Sequence, residues 1–190
     1  MTILTPAAPL LPRVDHDAAR AAVADLLRAL GRDCGEPELV RTPQRVAETL
    51  EALLAAPPVP TAVLPNPERV DDLVVVTGIR FSSLCIHHLL PFTGTARIGY
   101  LPGEHLLGLS DLARGLHAFA RDLQLQERLT TQVADWLEHT LRPRGAGVVL
   151  EAEHLCMSLR DASTAGAVTR TVALRGALAR SQALQDRFLR

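Results

Sequence analysis

Cysteine and histidine residues gather in two short segments of this 190-residue chain. The first segment reads Cys85-Ile86-His87-His88 and the second reads His154-Leu155-Cys156. Thiolates and imidazoles are the ligands that zinc prefers, and a structural zinc takes four of them from the protein. Only three ligands can be assigned here, namely Cys85, His88 and Cys156. A zinc with an open fourth position activates water, so the pattern indicates a hydrolytic centre.

His87 and His154 remain outside this ligand set, and free imidazoles beside an activated water can move protons. The alternative is that the cysteines are small buried hydrophobes and the histidines a satisfied feature of the core. The chain has only three cysteines, and two of them stand close to histidines, which favours the metal interpretation. The third, Cys34, stands alone near a predicted helix end, and we interpret it as a structural thiol.

The composition excludes several classes of function. The formal net charge is −1, so the chain as a whole does not attract nucleic acid or an anionic membrane. No run approaches the roughly 20 apolar residues of a membrane span, and the N-terminus does not match a signal peptide. Because two of the cysteines are assigned to metal, we do not expect a disulfide framework. We expect a cytoplasmic location. All 20 basic residues are arginine.

The N-terminal part of the chain is predicted to be helical. Residues 1–13 are expected to form a loose leader, and a helix is predicted from Asp15 to Gly31. A second helix is predicted to begin at Thr42-Pro43, where threonine suits the N-cap and proline the first turn. Five prolines between Pro57 and Pro67 interrupt any periodic structure. We therefore predict a leader, two helices and a linker over residues 1–69, and a catalytic domain over residues 70–190.

The remaining segment predicts an α+β fold with the element order β-β-α-α-β-β. Strands are predicted over residues 73–81, 93–101, 146–159 and 167–174, and helices over residues 110–123 and 126–141. This order favours a four-stranded antiparallel sheet with two helices on one face. His154 and Cys156 would then leave the same face of one strand. Because an open sheet has exposed edges that another copy can cover, we expect a symmetric homo-oligomer.

Five segments together resemble the GTP cyclohydrolase I family in order and spacing. They are Thr42-Pro43-Gln44-Arg45-Val46, Cys85-x-His87-His88, Gly108-Leu109-Ser110, Gln126-Glu127-Arg128-Leu129-Thr130 and Glu151-Ala152-x-His154-x-Cys156-Met157. The resemblance extends from about residue 20 to the C-terminus. It implies the tunnelling fold, whose subunits join into an oligomeric barrel, usually a decamer, with active sites between subunits.

The resemblance also implies an activity, the conversion of GTP and water to 7,8-dihydroneopterin triphosphate and formate, which begins folate and tetrahydropterin biosynthesis. It implies Zn²⁺ as the metal, with Cys85, His88 and Cys156 as its ligands. His87 and His154 would transfer protons, and Ser110 would assist the later rearrangement of the ribose. The implied substrate contacts are Glu127 with Gln126 near it for the guanine edge, and Arg114, Arg160 and a neighbouring subunit's Arg45 for the triphosphate.

Simpler roles remain open for several of these residues. Ser110 suits a helix N-cap, Glu127 with Arg128 suits a solvated charge pair, and Arg45 suits an exposed helix surface. Arg160 directly follows the apolar segment that carries Cys156, which favours a functional role for it.

The chain departs from the family pattern at three positions. Ile86 stands where the family usually has glutamate, Asp111 where it usually has lysine, and Asp161 where it usually has glycine. The last two add negative charge near the implied triphosphate contacts. Two alternatives therefore stay open beside GTP hydrolysis. One, which Asp111 and Asp161 favour, is a diverged paralogue that acts on a guanine nucleotide with fewer phosphates. The other, which Ile86 favours, is a non-catalytic paralogue that binds pterin or assists assembly.

Overall fold

The computed structural model describes residues 14–190, so the predicted leader over residues 1–13 lies outside the described residues. The described residues form two compact units, which divide between Ala52 and Leu53. The division falls inside the second helix of the chain. The functional boundary after residue 69 stays a prediction, because compactness alone does not define where a catalytic domain begins.

The first unit contains helix α1 (His16–Ala29) and most of helix α2 (Thr42–Leu54). The Asp15 carboxylate accepts a hydrogen bond from the Ala18 backbone N–H, which caps α1. Gly31 follows the end of α1 with a φ of 76°, a left-handed conformation that glycine adopts without strain. The prediction of a helix between Asp15 and Gly31 is therefore confirmed.

The second unit is built on a sheet whose four long strands pair antiparallel. These strands are β2 (Val74–Cys85), β3 (Pro91–Leu101), β6 (Gly145–His154) and β7 (Val168–Arg175). The two-residue strand β5 (Leu123–Gln124) lies parallel to the end of β2, which gives the order β5-β2-β3-β6-β7. Strands β1 (Leu64–Pro65) and β4 (His105–Leu106) pair with each other. The predicted antiparallel sheet is confirmed, and β5 extends one edge of it.

Helices α3 (Leu109–Ala120) and α4 (Gln126–Leu141) pack on one face of this sheet, which confirms the predicted order and layering. Alternate strand residues such as Phe92 and Leu150 meet Leu116 and Leu137 of the helices in a single apolar core. Burial of each such side chain stabilises the fold by about 1.5–3 kcal/mol. This layer therefore fixes the helix ends relative to the strand ends. No described helix is long and apolar enough to cross a membrane.

Two short C-terminal helices, α6 (Gly176–Arg180) and α7 (Gln182–Leu189), cover part of the opposite face of the sheet. Leu178 and Phe188 are fully buried there, against Leu101 and Val149. The sequence does not predict these helices, because each is too short to show a helical period. The one local signal is Ser181, whose hydroxyl accepts a hydrogen bond from the Leu184 N–H at the start of α7.

One strand ends earlier than the sequence predicted. The prediction of a strand over residues 146–159 is wrong beyond His154, because residues Leu155–Ser158 form a helical turn, α5. His154 pairs with Phe92 of β3, and the residue before Phe92 is Pro91, which has no N–H to donate to a continuing strand. Cys156 therefore reaches its position through α5, and not through strand alternation with His154.

A substitution at Gly94 is expected to disturb the pairing of β3 and β6 beside this strand end. A methyl group at Gly94 would overlap the backbone carbonyl of Glu151, which cannot move aside as a side chain can. We expect Gly94→Ala to lower the free energy of unfolding by about 2 kcal/mol, the scale of an overpacked core, as measured by urea denaturation. Thr93→Ala, at the exposed neighbour on β3, is the control, and equal losses for both variants would contradict this account.

Candidate metal centre and catalytic site

A tight turn at the end of β2 carries the first two candidate metal ligands. The Cys85 N–H donates to the Leu90 carbonyl, and the Leu89 N–H donates to the Cys85 carbonyl, both at 2.9 Å. This folds His88 back over the strand end, so that its Nδ1 lies 3.9 Å from the Cys85 Sγ. Leu89 has a φ of 56°, a conformation that costs a non-glycine residue about 1 kcal/mol. The turn thus holds His88 in place at the expense of local strain.

Cys156 completes a cluster of three donors. Its Sγ lies 3.9 Å from the Cys85 Sγ, and the ligand atoms of Cys85, His88 and Cys156 all lie within 4.8 Å of one another. Sulfur ligands at about 2.3 Å from a tetrahedral zinc would lie about 3.8 Å apart. The donors present therefore fit a thiophilic metal ion in both type and spacing. Cys34 is not part of this cluster.

The charge balance of the two thiols also favours a bound cation. Burial raises the pKa of the Cys156 thiol, the adjacent Cys85 thiol raises this pKa further, and the charge of Arg160 opposes both effects. A nearby positive charge would favour ionisation of the Cys156 thiol. A metal ion would supply that charge, because it binds cysteine as thiolate.

His154, the last residue of β6, is held in one orientation by two contacts. Its ring stacks on Phe92 with centroids 4.7 Å apart and an angle of 3° between the planes. Its Nε2 lies 2.7 Å from the Gln126 Oε1. Because an amide oxygen can only accept, Nε2 carries the hydrogen and Nδ1 is the acceptor of the ring. Burial lowers the pKa of His154, and the charge of Glu127 partly offsets this, so the ring is neutral at pH 7 and can accept a proton.

Gln126, the first residue of α4, is buried with 1% of its surface exposed. Its Nε2 donates hydrogen bonds to a set of three surrounding oxygens. They are the Leu150 carbonyl at 3.1 Å, the Thr169 carbonyl at 2.9 Å and the Thr171 hydroxyl at 3.1 Å. The side-chain amide is thus fixed between two strands while its oxygen faces His154. The side-chain contacts of Gln126 lie inside the protein, and its position near the guanine edge, which the resemblance implies, stays a prediction. No local pattern in the sequence signals this arrangement, because its partners come from distant strands.

Arg160 and His87 lie next to this cluster. The Arg160 Nη1 lies 3.1 Å from the His88 Nε2, and the His87 ring lies 6.2 Å from the His88 ring in a T-shaped arrangement. The structure thus brings together eight residues that the sequence singled out. They are Cys85, His87, His88, Gln126, Glu127, His154, Cys156 and Arg160.

The two departures in this part of the chain have different surroundings. Ile86 is 39% exposed on the turn that carries His87 and His88. The Asp161 carboxylate accepts a hydrogen bond from the Ser163 N–H at 2.9 Å and caps a short 3₁₀ turn over Ala162–Thr164. Hydrogen bonding with the Ser163 side chain, and then with its backbone N–H, lowers the pKa of Asp161. Asp161 therefore has a structural partner of its own within the turn.

Ser110 lies far from the metal cluster of the same chain. The Ser83 hydroxyl donates to the Ala120 carbonyl at 2.7 Å, so it is the C-terminal end of α3 that approaches the end of β2. Ser110 precedes Ala120 by ten residues, which corresponds to about 15 Å along a helix. Arg114 lies on the intervening turns and is exposed. A single chain therefore does not bring Ser110 to its own cluster.

The prediction that Ser110 caps α3 is wrong. Gly108 occupies the N-cap position, and no side chain caps the helix there. The helix begins one residue before Ser110, at Leu109, so the exposed Ser110 hydroxyl lies within the first helical turn. Arg45 lies on α2 in the first unit and is also exposed.

Comparison with known proteins gives matches over nearly the whole chain. A family model described as GTP cyclohydrolase I matches residues 19–190. GTP cyclohydrolase 1 of Halalkalibacterium halodurans is 43% identical over 184 residues, covering 94% of this chain and 97% of that protein. The protein of the same name from Aquifex aeolicus is 41% identical over 177 residues, covering 93% and 96%. That from Mycobacterium tuberculosis is 45% identical over 186 residues, covering 93% and 92%.

Replacement of either clustered cysteine is expected to abolish tight metal binding. Cys85→Ser and Cys156→Ser each remove a soft ligand that a hydroxyl does not replace. After equilibration with zinc and desalting, we expect about one zinc per chain in the unchanged protein and well under half of that in either variant. Cys34→Ser is the matched control and should retain the full metal content, as measured by atomic emission. Equal metal content in all four proteins would contradict the assignment of the cluster.

Proposed function

Because the chain belongs to the GTP cyclohydrolase I family, we propose that it is a zinc-dependent enzyme that opens the imidazole ring of GTP. It is a hydrolase acting on GTP, and its products are 7,8-dihydroneopterin triphosphate and formate, the first step of folate and tetrahydropterin biosynthesis. The observation that carries the proposal is the convergence of Cys85, His88 and Cys156 beside an oriented His154. This arrangement combines a metal-capable cluster with a neutral base.

Cys85, His88 and Cys156 would hold the zinc ion. When bound there, zinc supplies an activated water by lowering the pKa of that water to about 7. Two thiolates select a soft ion over magnesium or calcium, which prefer oxygen ligands. When the His88 Nδ1 serves as a ligand, its Nε2 carries the hydrogen and can no longer accept from Arg160. The Arg160 guanidinium is then available for an anionic group of the substrate.

His154 and His87 move protons during the reaction. His154 is neutral and fixed in orientation, so its Nδ1 accepts a proton while its Nε2–H stays on Gln126. Gln126 is a positioning residue, because its side-chain oxygen determines which nitrogen of His154 is free. His87 is exposed on the adjacent turn and provides the second proton carrier as the ring opens and formate leaves.

Glu127 selects guanine over adenine. Its carboxylate lies in the first turn of α4, close enough to His154 to affect that residue's pKa. A carboxylate accepts two parallel N–H bonds from the guanine edge. Adenine presents an acceptor in place of one of these donors, so one carboxylate oxygen would lose its hydrogen bond and face a second acceptor, which lowers the affinity.

A neighbouring copy of the chain completes the site. Ser110 and Arg114 act on the ribose and the triphosphate in this proposal, yet α3 directs them away from the cluster of their own chain. Strand β7 is an edge of the sheet, and Val168 and Val172 on it are 62% and 45% exposed. Such an edge suits pairing with another copy. We therefore propose a homo-oligomeric barrel, a decamer as the family implies, in which Arg45 also comes from a neighbour.

The orientation of His154 favours an enzyme over a non-catalytic paralogue. A protein that only binds pterin has no need of a tautomer fixed by a buried amide and a stacked ring. The alternative of a substrate with fewer phosphates depends on the negative charges of Asp111 and Asp161.

Incubation with GTP tests the proposed activity directly. We expect the zinc-loaded protein to release formate and a fluorescent pterin in equal amounts. His154→Ala should lower kcat by about 100-fold or more, the contribution of a general acid–base group, with the zinc content unchanged. His139→Ala, an exposed histidine on α4 outside the site, is the control and should retain full activity. No formate from any guanine nucleotide offered to the zinc-loaded wild type would refute the proposal.

Mixed oligomers test whether Ser110 comes from a neighbour. We expect Ser110→Ala and His154→Ala oligomers to be nearly inactive alone. After co-refolding at equal amounts, activity should recover to about a quarter of wild type, because random assembly in a closed oligomer places an intact Ser110 beside an intact His154 at that frequency. His154→Ala mixed with Glu127→Ala is the control, since both residues lie in the same half-site and no chain carries both intact. Recovery of activity in the control pair, or no recovery in the test pair, would contradict the assignment of Ser110 to a neighbouring chain.

A further inference from the structure

The first turn of α3 carries its own counter-ion. Asp111 is the third residue of the helix, and its Oδ1 lies 2.8 Å from the Arg114 Nη1. Its other oxygen, Oδ2, lies over the N-cap, where a methyl group built on Gly108 would be 2.8 Å away from it. The Asp111 side chain is 21% exposed and that of Arg114 is 68% exposed. One carboxylate therefore lies against both the arginine and the start of the helix.

This carboxylate cancels what would otherwise be a strong anion site. The start of a helix presents unpaired N–H groups and a partial positive charge of about one half. Arg114 adds a full positive charge one turn further on, and the exposed Ser110 hydroxyl lies between them. Such a combination binds phosphate groups well when it is unopposed. With Asp111 in place, the charge of Arg114 is already balanced within the helix.

We propose that Asp111 is a specificity-determining residue that reduces the dependence of this enzyme on the length of the phosphate chain of its substrate. The inference rests on the proposed function, in which the Ser110–Arg114 turn meets the triphosphate of a nucleotide bound at a neighbouring cluster. A triphosphate gains Arg114 only by displacing Asp111, and it then lies beside a negative charge. A guanine nucleotide with one phosphate makes fewer contacts with this turn, so Asp111 reduces its binding energy less. The kcat/KM values for GDP and GMP therefore fall less far below the value for GTP than they would if the anion site were unopposed.

The Asp111–Arg114 pair can be altered without unfolding the protein. It is an ion pair between residues three apart on a helix surface, and such pairs contribute little to stability. The chain offers a matched pair in Asp25 and Arg28 on α1, also three apart, with 2.6 Å between Oδ1 and Nη1. Thermal unfolding midpoints of Asp111→Asn and Asp25→Asn establish that both variants are folded before activities are compared.

The decisive experiment compares phosphate-chain preference in wild type and Asp111→Asn. We expect kcat/KM for GTP to rise about tenfold when the opposing charge is removed, whereas kcat/KM for GMP changes less than twofold. The inhibition constant of inorganic tripolyphosphate should fall about tenfold as well, and both effects should shrink as sodium chloride is raised. Asp25→Asn should leave all of these quantities unchanged.

A second variant tests the route of the effect. Arg114→Gln should reduce GTP turnover strongly in the Asp111→Asn background and weakly in the wild-type background, because Asp111 already neutralises Arg114 there. Lower GTP turnover in Asp111→Asn would overturn the proposal and show that Asp111 orients Arg114 or binds a divalent cation. Equal changes for GTP, GDP and GMP would overturn it too.

Turnover tests the proposed activity, and binding of tripolyphosphate tests the role of Asp111 separately. If neither protein turns over any guanine nucleotide, the activity is refuted, while calorimetric binding of tripolyphosphate still compares wild type with Asp111→Asn. Equal affinities in that measurement would overturn the role of Asp111 independently of any turnover.

Discussion

The approach of two thiols to within 3.9 Å is the interaction on which the rest of the site depends. Burial and mutual repulsion raise the pKa of Cys156, so a nearby cation would favour its thiolate form. The backbone brings the thiols together because β2 and β6 lie on either side of β3, and both strands stop at the end of the sheet where β3 begins. The position of the site therefore follows from where two strands stop.

Sheet register then decides what surrounds the cluster. His154 pairs opposite Phe92 and faces the helix-covered side, where Gln126 holds it. A shift of one residue in the pairing of β3 and β6 would turn His154 to the opposite face of the sheet. The orientation of His154 thus depends on the whole apolar layer under α3 and α4, and not on neighbours in sequence.

The sequence predicted the parts of the structure that depend on local chemistry. Strand alternation and helical periodicity gave the element order, and the residue types of the two Cys/His segments identified the donors that the structure brings together. It did not predict the end of β6, because that end depends on Pro91 across the sheet. It also missed α7, whose stability comes from the burial of Phe188. The contacts of the Gln126 side chain could not be predicted, since all four of its partners lie on strands distant in sequence.

The two halves of the proposed site lie at opposite ends of one rigid element, α3. Its length of 12 residues corresponds to about 18 Å, and its core side is packed without exposure through Leu112 and Leu116. Small motions therefore cannot bring Ser110 to the cluster of its own chain. In the proposed function, association of copies is then a condition for catalysis and not an addition to stability. The length of α3 also separates the proposed phosphate contacts from the metal cluster. A change of charge among the phosphate contacts, such as Asp111, therefore leaves the sulfur and imidazole donors unchanged.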